Sequence, residues 1–176
     1  MLYDLGDYTE ALDHYHRALD VFRMVGDRRG EAWSLSGQGT IYLHCGEYEL
    51  ARVRYEEALS LRQAIGDRRG EGIALGNLGV VYEDLGQYQV ALEYHEQALA
   101  IRRKIRHRQG EAHALMNIGI VYTDLGQYPQ ALEYLEQALA IDREIDDRKG
   151  EGMARGNLGI VYRRLGQYPQ ALESYE

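Results

Sequence analysis

The chain has 176 residues, 45% of them hydrophobic, and a formal net charge of −8. This acidic balance argues against a nucleic-acid interface, which needs clustered lysine and arginine, and it favours basic partner segments. The sequence has no apolar run of about eighteen residues and no basic, apolar leader, so we expect a soluble, cytoplasmic protein.

One phrase returns along the chain at steps of 40 residues. It begins at Gly39, Gly79, Gly119 and Gly159, and its second copy reads Gly79-x-x-Tyr82-x-x-x-Gly86-x-Tyr88-x-x-Ala91. Such a period is typical of an elongated array of stacked units, which has no single closed pocket for catalysis. We predict one array over 1–176, with a partial repeat over 1–26, full repeats over 27–66, 67–106 and 107–146, and a truncated repeat over 147–176.

Each unit predicts two helices, here described for the repeat over 67–106. The first helix runs from Arg68 to Leu85 with Asp67 as its N-cap, and its apolar stripe is Leu75, Leu78, Tyr82 and Leu85. Gly86-Gln87 breaks the chain before a second helix from Tyr88 to Ile105. That helix has two apolar faces, Ala91, His95 and Ala98 on one and Leu92, Leu99 and Ile101 on the other. It should therefore lie between its own partner and the next repeat.

The recurring small and aromatic residues are interpreted as architectural. Glycines inside the first helices, such as Gly119, Gly156 and Gly159, cost stability, so we expect them where two helices approach closely. The tyrosines keep a fixed phase against the alanines, which favours core aromatics over a base-stacking platform. Cys45 stands where later repeats have leucine, and we expect it to be buried.

The two ends fall inside repeats. Met1 to Leu5 correspond to the tail of a first helix, and Glu176 falls midway through a second helix, which predicts a piece of a longer array. The last helix should leave Ala171, Leu172 and Tyr175 as a partly uncovered apolar edge. Such an edge favours end-to-end self-association.

These phrases resemble a known family. Leu78-Gly79-x-x-Tyr82 followed by Ala91 and Ala98 is similar to the signature of the tetratricopeptide repeat. The resemblance implies an all-α fold, a right-handed α-solenoid of antiparallel helix pairs. The period exceeds the usual 34 residues, and this long variety resembles the repeats of spindle-orienting polarity scaffolds, bacterial signalling ATPases, caspase-like proteases and peptide-sensing regulators.

The resemblance also implies where a partner binds. In this family the first helices line a concave groove that holds an extended peptide or a short helix. The matching positions form the predicted peptide-binding groove: Trp33, Thr40, His44, Ile73, Asn77, Val80, Asp84, His113, Asn117, Ile120, Asp124, Met153, Asn157, Ile160 and Arg164. The asparagines, one in each of three repeats, suit hydrogen bonds to a peptide backbone, and the alternative is that they bond locally between helices.

Charge varies along this predicted groove. Glu83, Asp84 and Asp124 make its middle acidic, and Arg155, Arg163 and Arg164 make its end basic. The asymmetry either orients a bound segment or serves solubility alone. Some family members hold the carboxylate of chaperone tails with lysines and a second asparagine. Here those positions are Gly76, Val80, Met116 and Ile120, so we expect no such binding.

No set of residues suggests catalysis, a cofactor or a metal site. His14 and His16 point to different faces of a helix, and no cysteine or acidic partner stands at metal-ligand spacing. Our leading hypothesis is a non-catalytic scaffold for protein–protein interaction. The alternative is a regulatory or sensor segment of a larger multidomain signalling protein whose catalytic domain lies outside this chain. An RNA-binding repeat is disfavoured by the net negative charge.

Overall fold

The computed structural model describes residues 5–175, with side chains from residue 8 onwards. Helices joined by short turns make up this part of the chain, and it contains no strand, so the expected all-α fold class is confirmed. The helices are α1 Leu5–Val25, α2 Arg28–His44, α3 Tyr48–Ala64, α4 Arg68–Asp84, α5 Tyr88–Lys104, α6 Arg108–Asp124, α7 Tyr128–Glu144, α8 Arg148–Arg164 and α9 Tyr168–Tyr175.

The helices group into two compact units. The first unit ends at Gly86 and contains α1–α4, in which α2 packs against α1 and α3, and α3 packs against α4. The second unit begins at Gln87 and contains α5–α9, in which α6 packs against α5 and α7, and α8 packs against α7 and α9. Direct contacts between α6 and α8 also occur in the second unit.

The turn within each repeat depends on a left-handed glycine. Gly126 has φ of 72°, and the amide of the next residue, Gln127, donates to the Tyr122 carbonyl at 2.9 Å. This hydrogen bond satisfies a carbonyl that the end of α6 would leave unpaired. Pro129 lies in the first turn of α7, as predicted, where its missing N–H costs nothing.

The link between repeats is held by local polar contacts. Asp67 caps α4 by accepting a hydrogen bond from the Gly70 amide at 3.0 Å, which confirms its predicted role. The guanidinium of Arg68 lies 2.6 Å from Glu71, whose other oxygen accepts from Gln63 on the preceding helix at 3.1 Å. Glu71 therefore makes one contact within the first turn of α4 and one with the end of α3.

Helix pairs approach closely at the glycines of the repeated phrase. A Cβ added to Gly39 would lie 2.8 Å from the ring of Tyr55, and one added to Gly119 would lie 2.7 Å from Leu135. The predicted close approach is confirmed at these positions. It is wrong at Gly156, where a Cβ would meet no atom within 4 Å.

The second helices have the two buried faces expected of them. In α5, Ala91, His95 and Ala98 are 0% exposed, and Leu92, Leu99 and Ile101 on the other face are buried as well. In the same unit, α7 lies between α6 and α8 and contacts both. Packing on two sides explains why the sequence of these helices is apolar on two stripes.

The structure contradicts the predictions for Cys45 and Ala171, and the predictions for the two ends of the chain fall outside the described residues. Cys45 is exposed, because it follows α2 at a C-cap position whose equivalents Leu125 and Leu165 are also 37% and 39% exposed. Ala171 is buried, at 5% exposure, because it faces α8. The helix tail predicted for residues 1–4 and the residue Glu176 lie outside the described residues, and Leu5 belongs to α1.

Asp142 is a buried acid at a position where the two preceding second helices have arginine. Arg62 donates to the carbonyl of Gly70 at 2.7 Å, and Arg102 makes the equivalent hydrogen bond at 2.8 Å. Asp142 occupies the same position in α7, is 0% exposed, and has no hydrogen-bond partner for either carboxylate oxygen. Burial raises the pKa of Asp142, and the charge of Asp147 raises it further. The ionised carboxylate therefore opposes folding.

Replacing this carboxylate should stabilise the protein. Asp142→Asn should raise the free energy of unfolding near pH 7 by about 1–3 kcal/mol, because it removes a buried, unpaired charge while keeping the shape of the side chain. Because the pKa of Asp142 is higher in the folded state than in the unfolded state, its stabilising contribution exists at low pH and is lost as the pH rises through the folded pKa. The gain from Asp142→Asn should therefore shrink as the pH falls towards about 4.

Urea denaturation at the two pH values measures this difference. Glu111→Gln is the control with the opposite sign, because, although burial raises it, the hydrogen bonds from Arg103 and Arg108 lower the pKa of Glu111 overall. This control should destabilise the protein near neutral pH and lose its effect in acid. A gain for Asp142→Asn that does not vary with pH would contradict our explanation.

Candidate binding surface

The predicted groove residues lie on the side of the first helices that faces solvent. We call this surface the first-helix face; in the first unit it belongs to α2 and α4, and in the second unit to α6 and α8. Its exposed members are Trp33, Thr40, His44, Ile73, Asp84, His113, Asp124, Met153 and Arg164, and its half-buried members are Asn77, Val80, Asn117, Ile120, Asn157 and Ile160.

In the second unit, a shallow pocket lies on this face between α6 and α8. Its volume is about 130 Å³, and it is lined by Ile120, Thr123, Asp124, Asn157, Ile160 and Arg164. Two isoleucines thus stand beside one amide and two charged groups. Such a mixture suits a ligand that brings one apolar side chain together with polar backbone groups.

Five of the six lining residues belong to the set predicted from sequence, and Thr123 does not. Its equivalents in the neighbouring repeats are Glu83 and Arg163, which contribute to the charge predicted along the groove. The Thr123 hydroxyl donates to the Gly119 carbonyl at 2.8 Å, which leaves its methyl group to line the pocket. The loss of charge at this position, which the first full repeat shares through Leu43, was the available signal.

The charges on the face are partly neutralised by one another. Arg164 lies 3.7 Å from Asp124 across the pocket, and Arg155 lies 3.1 Å from Glu151. In the first unit, partial burial and the neighbouring Glu83 raise the pKa of Asp84. The charges of the acidic middle and the basic end predicted from sequence are therefore weaker than a count of charged residues suggests.

The asparagines of the face have free amides. In the described part of the chain, no hydrogen bond joins the side chain of Asn77, Asn117 or Asn157 to another protein group, although all three are half-buried. Local bonding between helices, the alternative role for these residues, is not seen. Each amide is thus available to donate to and accept from a ligand.

The first repeat has no such amide. Gly37 occupies the asparagine position there, and the ring of Tyr15 lies directly over it, in the space that a side chain would need. The Tyr15 ring also packs against Trp33, with ring centroids 5.2 Å apart. This end of the face is consequently aromatic, whereas the other repeats present an amide at the same level.

Three hydrogen bonds organise the rest of the face on α2. The hydroxyls of Thr40 and Tyr55 are 3.0 Å apart, and because Thr40 donates to the Ser36 carbonyl at 3.0 Å, Tyr55 is the donor in the pair. A ring nitrogen of His44 lies 2.7 Å from the Thr40 carbonyl. These contacts fix Thr40 and His44 on α2, whose equivalents in later repeats are apolar for Thr40 and charged for His44.

The described residues form neither a metal site nor a membrane span. No group of three or more histidine, cysteine, aspartate or glutamate side chains there is arranged to hold a metal ion. Within the same range, none of the helices combines the length and apolar character needed to cross a membrane.

Several solved structures are similar to this chain. BtubC (BKLC) from P. vanneervenii is 23% identical, with a TM-score of 0.84 over 96% of this chain and 70% of that one. A Rap protein complexed with competence and sporulation factor is 24% identical, with a TM-score of 0.85 over 98% of this chain and 48% of that one.

A signal transduction ATPase with numerous domains and a tetratricopeptide repeat sensor, from Pyrococcus horikoshii, is 26% identical. Its TM-score is 0.79 over 96% of this chain and 27% of that one. The chain therefore spans about half of the Rap protein and about a quarter of the ATPase. These likenesses agree with the predicted helical-repeat solenoid fold.

No curated protein matches the sequence. The sequence model of the tetratricopeptide repeat, in contrast, matches residues 1–64, 30–104 and 110–176, nearly the whole chain. Since the structure also repeats the helix pairs and the glycine contacts that this signature encodes, the chain belongs to the tetratricopeptide repeat family.

Proposed function

We propose that the chain is a non-catalytic, cytoplasmic scaffold that binds a peptide or helical segment of another protein on its first-helix face. The unpaired amides of this face are the observation that carries the proposal. A half-buried amide without a protein partner gains a hydrogen bond when a peptide backbone reaches it, and it does so for any peptide sequence.

The pocket of the second unit supports the same function. Asn157 stands at its edge, and Ile120 and Ile160 form its apolar part. An extended peptide could place its backbone on the amide and one apolar side chain between the isoleucines. The pair of Asp124 and Arg164 is exposed enough to exchange partners with a charged residue of the ligand.

A regulatory or sensor segment of a larger signalling protein is the second candidate. The likeness to the ATPase favours it, because that ATPase carries a tetratricopeptide repeat sensor and this chain spans about a quarter of it. In that case the same face would bind a peptide or protein signal, and the chemistry would lie outside this chain. The two candidates share the binding surface.

Removing the three amides should weaken binding without unfolding the protein. We expect the triple replacement Asn77→Ala, Asn117→Ala, Asn157→Ala to reduce peptide affinity at least about tenfold, since each lost hydrogen bond is worth about 0.5–1.5 kcal/mol. The melting temperature should change by less than about 2 °C, because the amides bond nothing in the free protein.

The probe would be a dodecamer selected from a random peptide display library against the unmodified chain, measured by fluorescence anisotropy. The matched control replaces Gln97, Gln130 and Gln137 by alanine, which removes three amides from second helices. Equal losses of affinity in both variants would reject the amides as a binding element. A large fall in melting temperature for the asparagine variant would instead assign them a structural role.

An acidic chaperone-tail peptide should not bind with micromolar affinity. The positions that such binding needs for its lysines and its second asparagine are occupied by other residues, and one of them, Met116, is only 2% exposed. Isothermal titration with the free peptide and with its C-terminal amide measures this. Micromolar binding that requires the free carboxylate would refute the expectation.

We also propose that copies of the chain associate end to end. Leu172 and Tyr175 on α9 are 63% and 54% exposed, which gives the chain an apolar edge. Light scattering over a concentration series tests this, and a strictly monomeric protein at high concentration would contradict it.

A further inference from the structure

The pocket between α6 and α8 has a regular helix on each side. Each helix contributes three lining residues at spacings of three and four, which places the three on one side of that helix. The residues are Ile120, Thr123 and Asp124 from α6, and Asn157, Ile160 and Arg164 from α8. The two helices also contact each other directly. Because both walls belong to helices, the lining side chains are held in defined positions.

The chemistry of the lining changes along the pocket. In chain order, α8 presents the half-buried Asn157, then Ile160, then Arg164. Arg164 pairs with Asp124 of α6 at 3.7 Å. Asn157 and Arg164 are seven residues apart, about 10 Å along a helix axis, which about three residues of an extended chain would span. An amide therefore stands at one end of the pocket and an ion pair at the other, with Ile120 and Ile160 between them.

Thr123 limits the room in the middle of the pocket. It is 6% exposed, and its hydroxyl is bonded to the Gly119 carbonyl at 2.8 Å, so its methyl group is the part that lines the pocket. The equivalent residues Leu43, Glu83 and Arg163 all have longer side chains. A side chain of that length on α6 would extend past the position of the methyl group and take up part of the space. The short side chain of Thr123 therefore keeps the pocket open.

The volume of the pocket matches an aliphatic side chain. It is about 130 Å³, and a cavity of about 150 Å³ holds benzene. Valine, leucine and isoleucine side chains have fewer carbon atoms than benzene, whereas the aromatic side chains carry a ring of that size or larger together with a methylene group. The isoleucines and the Thr123 methyl group offer apolar contacts and no partner for a charge. The middle of the pocket therefore suits a branched aliphatic side chain.

We propose that this pocket binds one valine, leucine or isoleucine side chain of the partner segment, and that Thr123 sets the preference for aliphatic over aromatic residues. The Asn157 amide hydrogen-bonds the backbone of the same segment, and the side chain packs between Ile120 and Ile160. The inference rests on the proposed function of the first-helix face. It adds the class of side chain that the second unit selects and the residue that selects it.

Two small probes test this preference on the full chain. N-acetyl-leucine N-methylamide and N-acetyl-phenylalanine N-methylamide carry the same two backbone amides and differ only in the side chain. In a chain isotope-labelled at the isoleucine methyl groups, the leucine probe should shift the NMR signals of Ile120 and Ile160, with a dissociation constant of about 1 mM for a ligand of this size. The phenylalanine probe should bind at least about fivefold more weakly. Ile65, in the turn after α3, is the internal control and should not shift.

Variants of Thr123 test its role. Thr123→Leu fills the pocket and should weaken binding of the leucine probe at least about fivefold. Thr123→Ser removes only the methyl group, keeps the hydroxyl bond to Gly119, and should bring the affinities of the two probes to within about twofold of each other. Thr123→Val, the matched control, keeps the shape of the pocket and should keep the preference. Circular dichroism checks that each variant stays helical, since Thr123→Leu adds volume at a buried position.

The probe titrations have clear contrary outcomes. Equal affinities of the two probes for the unmodified chain would overturn the size preference. Shifts that spare Ile120 and Ile160 would place binding elsewhere and overturn the inference as well. A preference that Thr123→Ser leaves unchanged would remove Thr123 from its proposed role, and this reading holds even if Thr123→Leu unfolds.

A double-mutant cycle separates this inference from the proposed function. The selected dodecamer should contain one aliphatic residue whose change to alanine weakens binding to the unmodified chain at least about tenfold, but binding to the Ile160→Ala chain by less than about threefold. A dodecamer that loses affinity in the triple asparagine variant but shows no such coupled residue would overturn this inference and leave the proposed function intact. Probes that shift Ile120 and Ile160 although no dodecamer binds would support the pocket and reject the peptide scaffold.

Discussion

The structure depends on the contact between a helix glycine and the large side chain that covers it. Gly39 lies under Tyr55, and Gly119 lies under Leu135, at distances that a Cβ would make impossible without displacing the neighbour. A glycine inside a helix costs about 0.5–1 kcal/mol relative to alanine. The contact offsets this cost, because it lets two helices approach closely enough to bury the alanine stripe beside the ring completely.

This close approach constrains everything around it. The second helix must return at a fixed angle after three residues, which the left-handed Gly126 and the hydrogen bond to Tyr122 make possible. The next first helix must begin where its N-cap and its first-turn ion pair can both form. In α4 these are Asp67, which accepts from the Gly70 amide, and the pair of Arg68 and Glu71. Once these contacts face inward, the other side of each first helix is left to solvent.

At a few positions, one repeat carries a residue whose polarity or size differs from that of its equivalents in the other repeats. Asp142 puts an unpaired acid where α3 and α5 have Arg62 and Arg102, which donate to a backbone carbonyl. Gln38 stands, fully buried and with its amide unpaired, where later repeats have leucine or isoleucine. Gly37 replaces an asparagine because the ring of Tyr15 occupies that space. Each departure concerns polarity or size in one repeat, while the helix pair itself is unchanged.

The sequence by itself determined the helix pairs, their caps and their buried stripes, because spacing and glycine position act locally and recur. The candidate face came from the resemblance to the tetratricopeptide repeat, whose motif the sequence carries at the matching positions. Only the tertiary structure decided that Cys45 is exposed, that Asp142 lacks a partner, and that Thr123 joins Ile120 and Ile160 in one pocket. These facts depend on how neighbouring helices pack against each other. A repeated sequence predicts the contacts that all repeats share, but it does not predict a contact that a single side chain makes or loses in one repeat.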